Sequence, residues 1–211
     1  MKTQKSFVVA GCLCAVLFAG TARAEESIPV LYEESYALEV KGDYNGALNR
    51  ALKILRLDIK DYTAHLRAGW LFYMMGKFGD SVSYYEKASD LRPNSLEPLL
   101  GLTLPLMAAK KWGDAEKMAA RIVKKDRGNY TGNIRLAYIQ FSQGRFNDSL
   151  KSYQYLYELY PADLDVRLGM AWSYARLGNK SQAQKYFGEV LAVTRRNANA
   201  LSGIEYVRKM Q

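Results

Sequence analysis

Residues 62–95 read YTAHLRAGWLFYMMGKFGDSVSYYEKASDLRPNS, and this stretch divides into two amphipathic helices around a short turn. Gly76 stands where the first helix must stop, because a left-handed residue beyond a helix end costs a glycine almost nothing. Gly79 is the expected N-cap of the second helix, with Asp80 set against its positive end. Pro93 closes the unit, since it cannot continue a helix.

The unit recurs without insertion. Steps of 34 residues from Gly76 land on Gly42, Lys110, Gly144 and Gly178. The small residue that lets paired helices touch recurs as Ala47, Ser81, Ala115, Ser149 and Ala183, and a second one as Ser35, Gly69, Thr103, Ala137 and Ala171. Each first helix is preceded by a good N-cap: Asp61, Ser95, Asn129, Asp163 or Asn197. The second helices are expected to start at Asn45, Gly79, Gly113, Asn147 and Ser181, again all preferred cap residues. Several signals held in phase over five periods define an all-α solenoid of helical hairpins.

The period, Gly69, Ala88, Pro93 and the run GKFGDSVSYYEKASDLRPN resemble the tetratricopeptide repeat. The resemblance covers 28–197, as five repeats at 28–61, 62–95, 96–129, 130–163 and 164–197. It implies a right-handed superhelical solenoid. The large residue that the family carries at the first packing position is replaced here by Leu31, His65, Leu99, Asn133 and Arg167. Lys110 takes the turn-glycine position in repeat three, and only Pro93 and Pro161 keep the closing proline.

In repeat one, Leu31, Leu38, Leu48, Ile54, Leu55 and Leu57 have the spacing of one buried face. Pro105 falls inside a helix and should bend it, with Gly101 present to tolerate the crowding. Tyr153 takes the packing position of Tyr85 and Phe187, while Tyr155, Tyr157 and Tyr160 cannot all be core. Residues 198–211 form a capping helix, with Leu201 and Ile204 apolar.

Residues 1–24 read as a signal peptide: Lys2 and Lys5, an apolar run from Phe7 to Ala19, and Ala22-Arg23-Ala24 before Glu25. That run is too short for a membrane span. Export, most simply to a periplasm, is the expectation. Val9-Ala10-Gly11-Cys12 also resembles a lipobox, whose processing would anchor the protein through Cys12. Cleavage after Ala24 removes Cys12 and Cys14, so neither disulfide nor thiol chemistry is expected. It also removes Lys2, Lys5 and Arg23, leaving 27 basic residues against 21 acids, a net charge of +6. An exported address argues against nucleic acid as the partner, and the positive excess suits either an anionic surface or simple solubility.

Catalytic chemistry has little to work with. His65 is the one histidine, and at a packing position it reads as structural. With no cysteine left, neither a zinc cluster nor a Cys-His arrangement can be assembled. No enzyme, metal or cofactor is expected. The informative surface is a stripe at repeat positions five, nine and twelve, which lines the concave side in tetratricopeptide arrays. It reads Tyr32, Tyr36 and Glu39; Leu66, Trp70 and Tyr73; Leu100, Leu104 and Met107; Ile134, Tyr138 and Phe141; Leu168, Trp172 and Ala175. Trp70, Tyr73, Tyr138, Phe141 and Trp172 are expected to carry most of the contact energy. Family members that clamp an acidic C-terminal peptide use lysine, asparagine and arginine here; this stripe is aromatic and aliphatic, with only Arg67 and Arg135 nearby. The resemblance therefore implies an envelope scaffold that takes an apolar or amphipathic segment of a partner protein. A polysaccharide stacked on the aromatic faces is the alternative ligand. The stripe could equally be covered by neighbouring helices, or by a second copy in a homodimer.

Overall fold

The computed structural model describes residues 27–210; the signal-peptide reading of residues 1–24 and the lipobox reading at Cys12 lie outside them. Eleven helices and no strand occur among the described residues. They are α1 (Ile28–Val40), α2 (Tyr44–Leu57), α3 (Tyr62–Met74), α4 (Phe78–Leu91), α5 (Glu97–Ala108) and α6 (Trp112–Lys125). α7 (Tyr130–Ser142), α8 (Phe146–Leu159), α9 (Leu164–Arg176), α10 (Lys180–Val193) and α11 (Ala198–Lys209) complete the chain. Each helix packs antiparallel on the next, and alternate helices α3, α5, α7, α9 and α11 also lie side by side. An all-α helical-repeat solenoid results.

The turns explain the beat. Gly42, Gly76, Gly144 and Gly178 all have φ between 72° and 81°. Lys110 keeps the same left-handed conformation at φ 56°, although it carries a side chain that disfavours it. At each turn the next amide reaches back to close the helix end, as in Lys77 N–H to Phe72 O at 2.9 Å and Lys111 N–H to Leu106 O at 2.9 Å. Asp61, Asn129, Asp163 and Asn197 cap their helices as expected, each accepting backbone N–H groups in the first turn. For α5 the cap position is Leu96, one residue beyond Ser95.

The second helices begin two residues earlier than expected, with caps at Asp43, Lys77, Lys111, Arg145 and Asn179. The left-handed residue already reverses the chain, so the helix starts at once. Asp43 and Asn179 supply side-chain caps; at the lysine and arginine positions no side chain caps the helix. Leu57 is corrected too: it is 59% exposed at the end of α2. In α11 the buried face is Ala200, Gly203 and Val207, and Leu201 points outward at 49% exposure. α5 runs through Pro105 as one helix.

Gly101 has a different reason from the one expected. A Cβ there would lie 2.2 Å from the Tyr85 ring. The same seam recurs: Gly169 admits Tyr153, and Gly203 admits Phe187, at 2.2 and 2.1 Å. At the two remaining junctions the aromatic is replaced by Ala51 or Ala119, and the glycine by Arg67 or Arg135. Large and small thus trade places across each seam, which keeps the stack filled.

The polar residues at the first packing position also share one job. His65 Nε2 bonds Ile59 O at 2.9 Å, Asn133 Nδ2 donates to Arg127 O at 2.9 Å, and Arg167 Nε donates to Pro161 O at 2.9 Å. Each ties down the carbonyl six residues back, in the loop before its own helix. His65 is therefore structural, buried against Tyr84 with ring centroids 5.9 Å apart.

Candidate functional site: the concave stripe

The first helices carry the expected stripe along one side, but its members differ in how free they are. Leu168 and Ala175 are buried, and Leu66, Leu100 and Leu104 are half-buried. Tyr36 and Tyr138 are the open ones, at 52% and 48% exposure. Tyr32 is tied down, its hydroxyl donating to Asp61 Oδ1 at 2.7 Å. Burial, and then that acceptor, push the Tyr32 hydroxyl well above the ordinary phenol value. Tyr130 repeats the arrangement one seam from the C-terminal end, donating to Asp163 Oδ2 at 2.9 Å. These tyrosines staple one repeat to the N-cap of the next.

In the N-terminal half the stripe is closed by its own chemistry. The Arg67 side chain, 4% exposed, pairs with Glu39 at 2.8 Å and donates through Nε to Ser35 Oγ at 2.6 Å. Its guanidinium lies 3.6 Å from the centroid of the Tyr36 ring. Trp70 Nε1 donates to Glu39 Oε1 at 2.6 Å, and Tyr73 leans on the indole at 5.7 Å. Only its Nη2 is left without a hydrogen-bond partner; a buried charge paired through two of its three nitrogens is a structural joint more than an invitation to a ligand.

The C-terminal half is open. A cavity of about 440 Å³ is lined by Met107, Ile134, Arg135, Tyr138, Phe141, Tyr153, Asp165, Leu168, Gly169, Trp172 and Asn199. Its walls are mainly apolar, with a few convergent polar groups, which is the character of a recognition pocket. Trp172 is fixed by Nε1 donating to Asn199 Oδ1 at 2.7 Å and by edge contact with Phe187 at 5.2 Å. Phe141 meets Phe146 at 5.2 Å, and Arg176 covers the Phe146 ring. Tyr138 touches Trp112 at 6.2 Å and is otherwise turned to the groove. Arg135 donates one nitrogen to Leu100 O and Thr103 Oγ1, and burial lowers its affinity for its proton.

Of the nine residues singled out in the sequence, Met107, Tyr138, Phe141 and Trp172 thus meet at one cavity. Tyr36 and Trp70 line a separate hollow of about 310 Å³ beside Glu39 and Arg67. Tyr32, Tyr73 and Leu104 line neither of these two. Sequence reasoning passed over Asp165 and Asn199 as wall residues and noted Arg135 only as a charge near the stripe; its place in the wall depends on its partners Leu100 and Thr103 in the preceding repeat. Among the described residues no group of three or more His, Cys, Asp or Glu could hold a metal, and no helix is long and apolar enough to cross a membrane.

Stacked helical hairpins with a concave recognition stripe define a class of repeat proteins that act as interaction scaffolds. Three family models described as tetratricopeptide repeat match residues 63–95, 106–163 and 140–203. The chain belongs to the tetratricopeptide repeat family. Among solved structures it is similar to MamA from Desulfovibrio magneticus RS-1, 16% identical over 81% of this chain and 96% of that one, with a TM-score of 0.75. Another MamA structure is 19% identical, covering 82% and 94%, at a TM-score of 0.72. YrrB, described as a TPR protein with an unusual peptide-binding site, is 17% identical, covering 86% and 94%, at a TM-score of 0.71. At such identities the likeness concerns the fold. A curated relative, the Protein CTR9 homolog of Arabidopsis thaliana, is 26% identical over 126 residues. That match takes in 59% of this chain and 12% of the relative's length.

Proposed function

We propose that this protein is a non-catalytic scaffold of the bacterial cell envelope that grips an apolar or amphipathic segment of a partner protein in the C-terminal half of its concave groove. The carrying observation is the cavity between α7 and α9, which is lined by the exposed Tyr138 and the half-buried Ile134, Phe141 and Trp172. Tetratricopeptide arrays are generally interaction scaffolds, and the peptide-binding site named for YrrB is in keeping with this use of the fold. The envelope address rests on the signal-like residues 1–24.

The test is capture from an envelope extract by the protein and by a Tyr138→Ala/Phe141→Ala variant. Aromatic anchors at an interface centre contribute about 2 kcal/mol or more each, so the variant should lose its partner while keeping its helical spectrum. Equal capture by both would refute the assignment. A soluble polysaccharide that quenches Trp172 fluorescence and competes with the captured protein would favour a glycan ligand instead.

A further inference from the structure

The chain contains its own control for the open half of the groove. Arg67 and Arg135 occupy the same repeat position two repeats apart, each opposite an alanine on the preceding second helix. Arg67 is surrounded by Ser35, Tyr36 and Glu39. The corresponding residues around Arg135 are Thr103, Leu104 and Met107. The hydroxyl is kept, since Thr103 accepts from Arg135 as Ser35 accepts from Arg67. The carboxylate is not: Met107 stands where Glu39 stands. The residue matching Trp70, whose indole donates to Glu39, is Tyr138, half open to solvent. Among the described residues Arg135 forms no ion pair, and Asp165, the acid in the cavity wall, does not reach it.

We propose that the partner segment supplies this missing carboxylate: an aspartate or glutamate beside an apolar anchor residue, the anchor filling the cavity between Ile134 and Trp172 and the acid pairing with Arg135 above Met107. The inference rests on the groove reading given above and deepens it. A guanidinium held in partly apolar surroundings, with donors to spare, gains a charge-assisted pair when such a ligand binds. A neutral segment would cover those donors without satisfying them, so the arginine also selects against it.

The experiment is selection from a displayed library of random peptides by the protein, by Arg135→Met and by Met107→Glu. The wild type should enrich peptides with an acid at a fixed offset from a large apolar residue. Arg135→Met should keep the apolar preference and lose the acidic one, with affinity for a wild-type-selected peptide falling about 10- to 100-fold. Met107→Glu rebuilds the internal pair seen at Glu39 and Arg67, so it should also lose the acidic preference while remaining at least as stable. Acid enrichment retained by both variants, or absent from the wild type, would overturn the inference and leave the groove reading standing. No enrichment by any of the three would overturn both. Displacement of selected peptides by polygalacturonate but not by dextran, with unselected acidic peptides inert, would assign the carboxylate to a glycan and count against the peptide.

Discussion

Replacing Gly101 by alanine should destabilise the protein, and replacing Gly69 should not. Both glycines face the Tyr85 ring, one from each side, but at different ranges. The new Cβ at Gly101 would stand 2.2 to 2.6 Å from three ring atoms, whereas at Gly69 it would stand 3.0 Å away. Carbon atoms prefer about 3.5 to 4.0 Å, so the first overlap exceeds an ångström and the second is about half that. Tyr85 is 4% exposed, and Gly69 already closes the side to which it would retreat. Overpacking of this kind costs about 1–3 kcal/mol, and the upper end applies to a pinned ring. Exchange of glycine for alanine inside a helix returns about 1 kcal/mol, leaving Gly101→Ala destabilised by about 2 kcal/mol. At Gly69 the ring needs to give by only a few tenths of an ångström, so the two terms nearly cancel. Urea denaturation followed by circular dichroism reads these differences directly. The decisive comparison is in a Tyr85→Ala background, where the clash is gone and Gly101→Ala should become stabilising by about 1 kcal/mol. An equal cost with and without the ring would refute the seam as the reason for the glycine.

Lys110→Gly should stabilise the protein by about 1 kcal/mol, because φ 56° carries a penalty for a lysine that glycine lacks; a midpoint rise of about 2–4 °C checks it. Glu39→Gln should cost about 2–3 kcal/mol, since it strands a buried guanidinium, and Arg67→Met in the same chain should recover part of that loss. Tyr32, Tyr85, Tyr130 and Tyr153 hold their protons above the ordinary value of 10.0, chiefly through burial. The unfolded chain ionises these groups first, so their contribution to stability is level below pH 10 and falls as pH rises above it. Absorbance titration at alkaline pH should show these tyrosines ionising together with loss of helix.

How much of this was open to the sequence follows from which contacts are local. Gly42, Gly76, Gly144 and Gly178 announce the turns because their conformation excludes most other residues. Lys110 shows that phase can hold such a conformation even against the residue. The caps at Asp61, Asn129, Asp163 and Asn197 are local hydrogen bonds and were legible. The second-helix caps were misplaced because Gly79, Gly113 and Asn147 are good cap types, while lysine and arginine at the true positions advertise nothing; in repeats one and five Asn45 and Ser181 compete with the equally good caps Asp43 and Asn179. Gly101 was misread for a similar reason: Pro105 is its neighbour in the chain, but Tyr85 is its neighbour in space. The exchange of Ala119 and Arg135 for Tyr153 and Gly169 stood in the aligned repeats, yet its meaning needs the seam across which the two residues meet. Which part of the stripe is open, and which is closed by Glu39, depended on side chains paired 28 residues apart.

The central claim is that the cavity beside Tyr138 is where a partner docks. A photo-crosslinking amino acid placed at Tyr138, and in a control at Lys151 on the exposed face of α8, tests it in the living cell. The account predicts a discrete adduct from position 138 that disappears with Trp172→Ala, and none from 151. An adduct from 151 alone would contradict it.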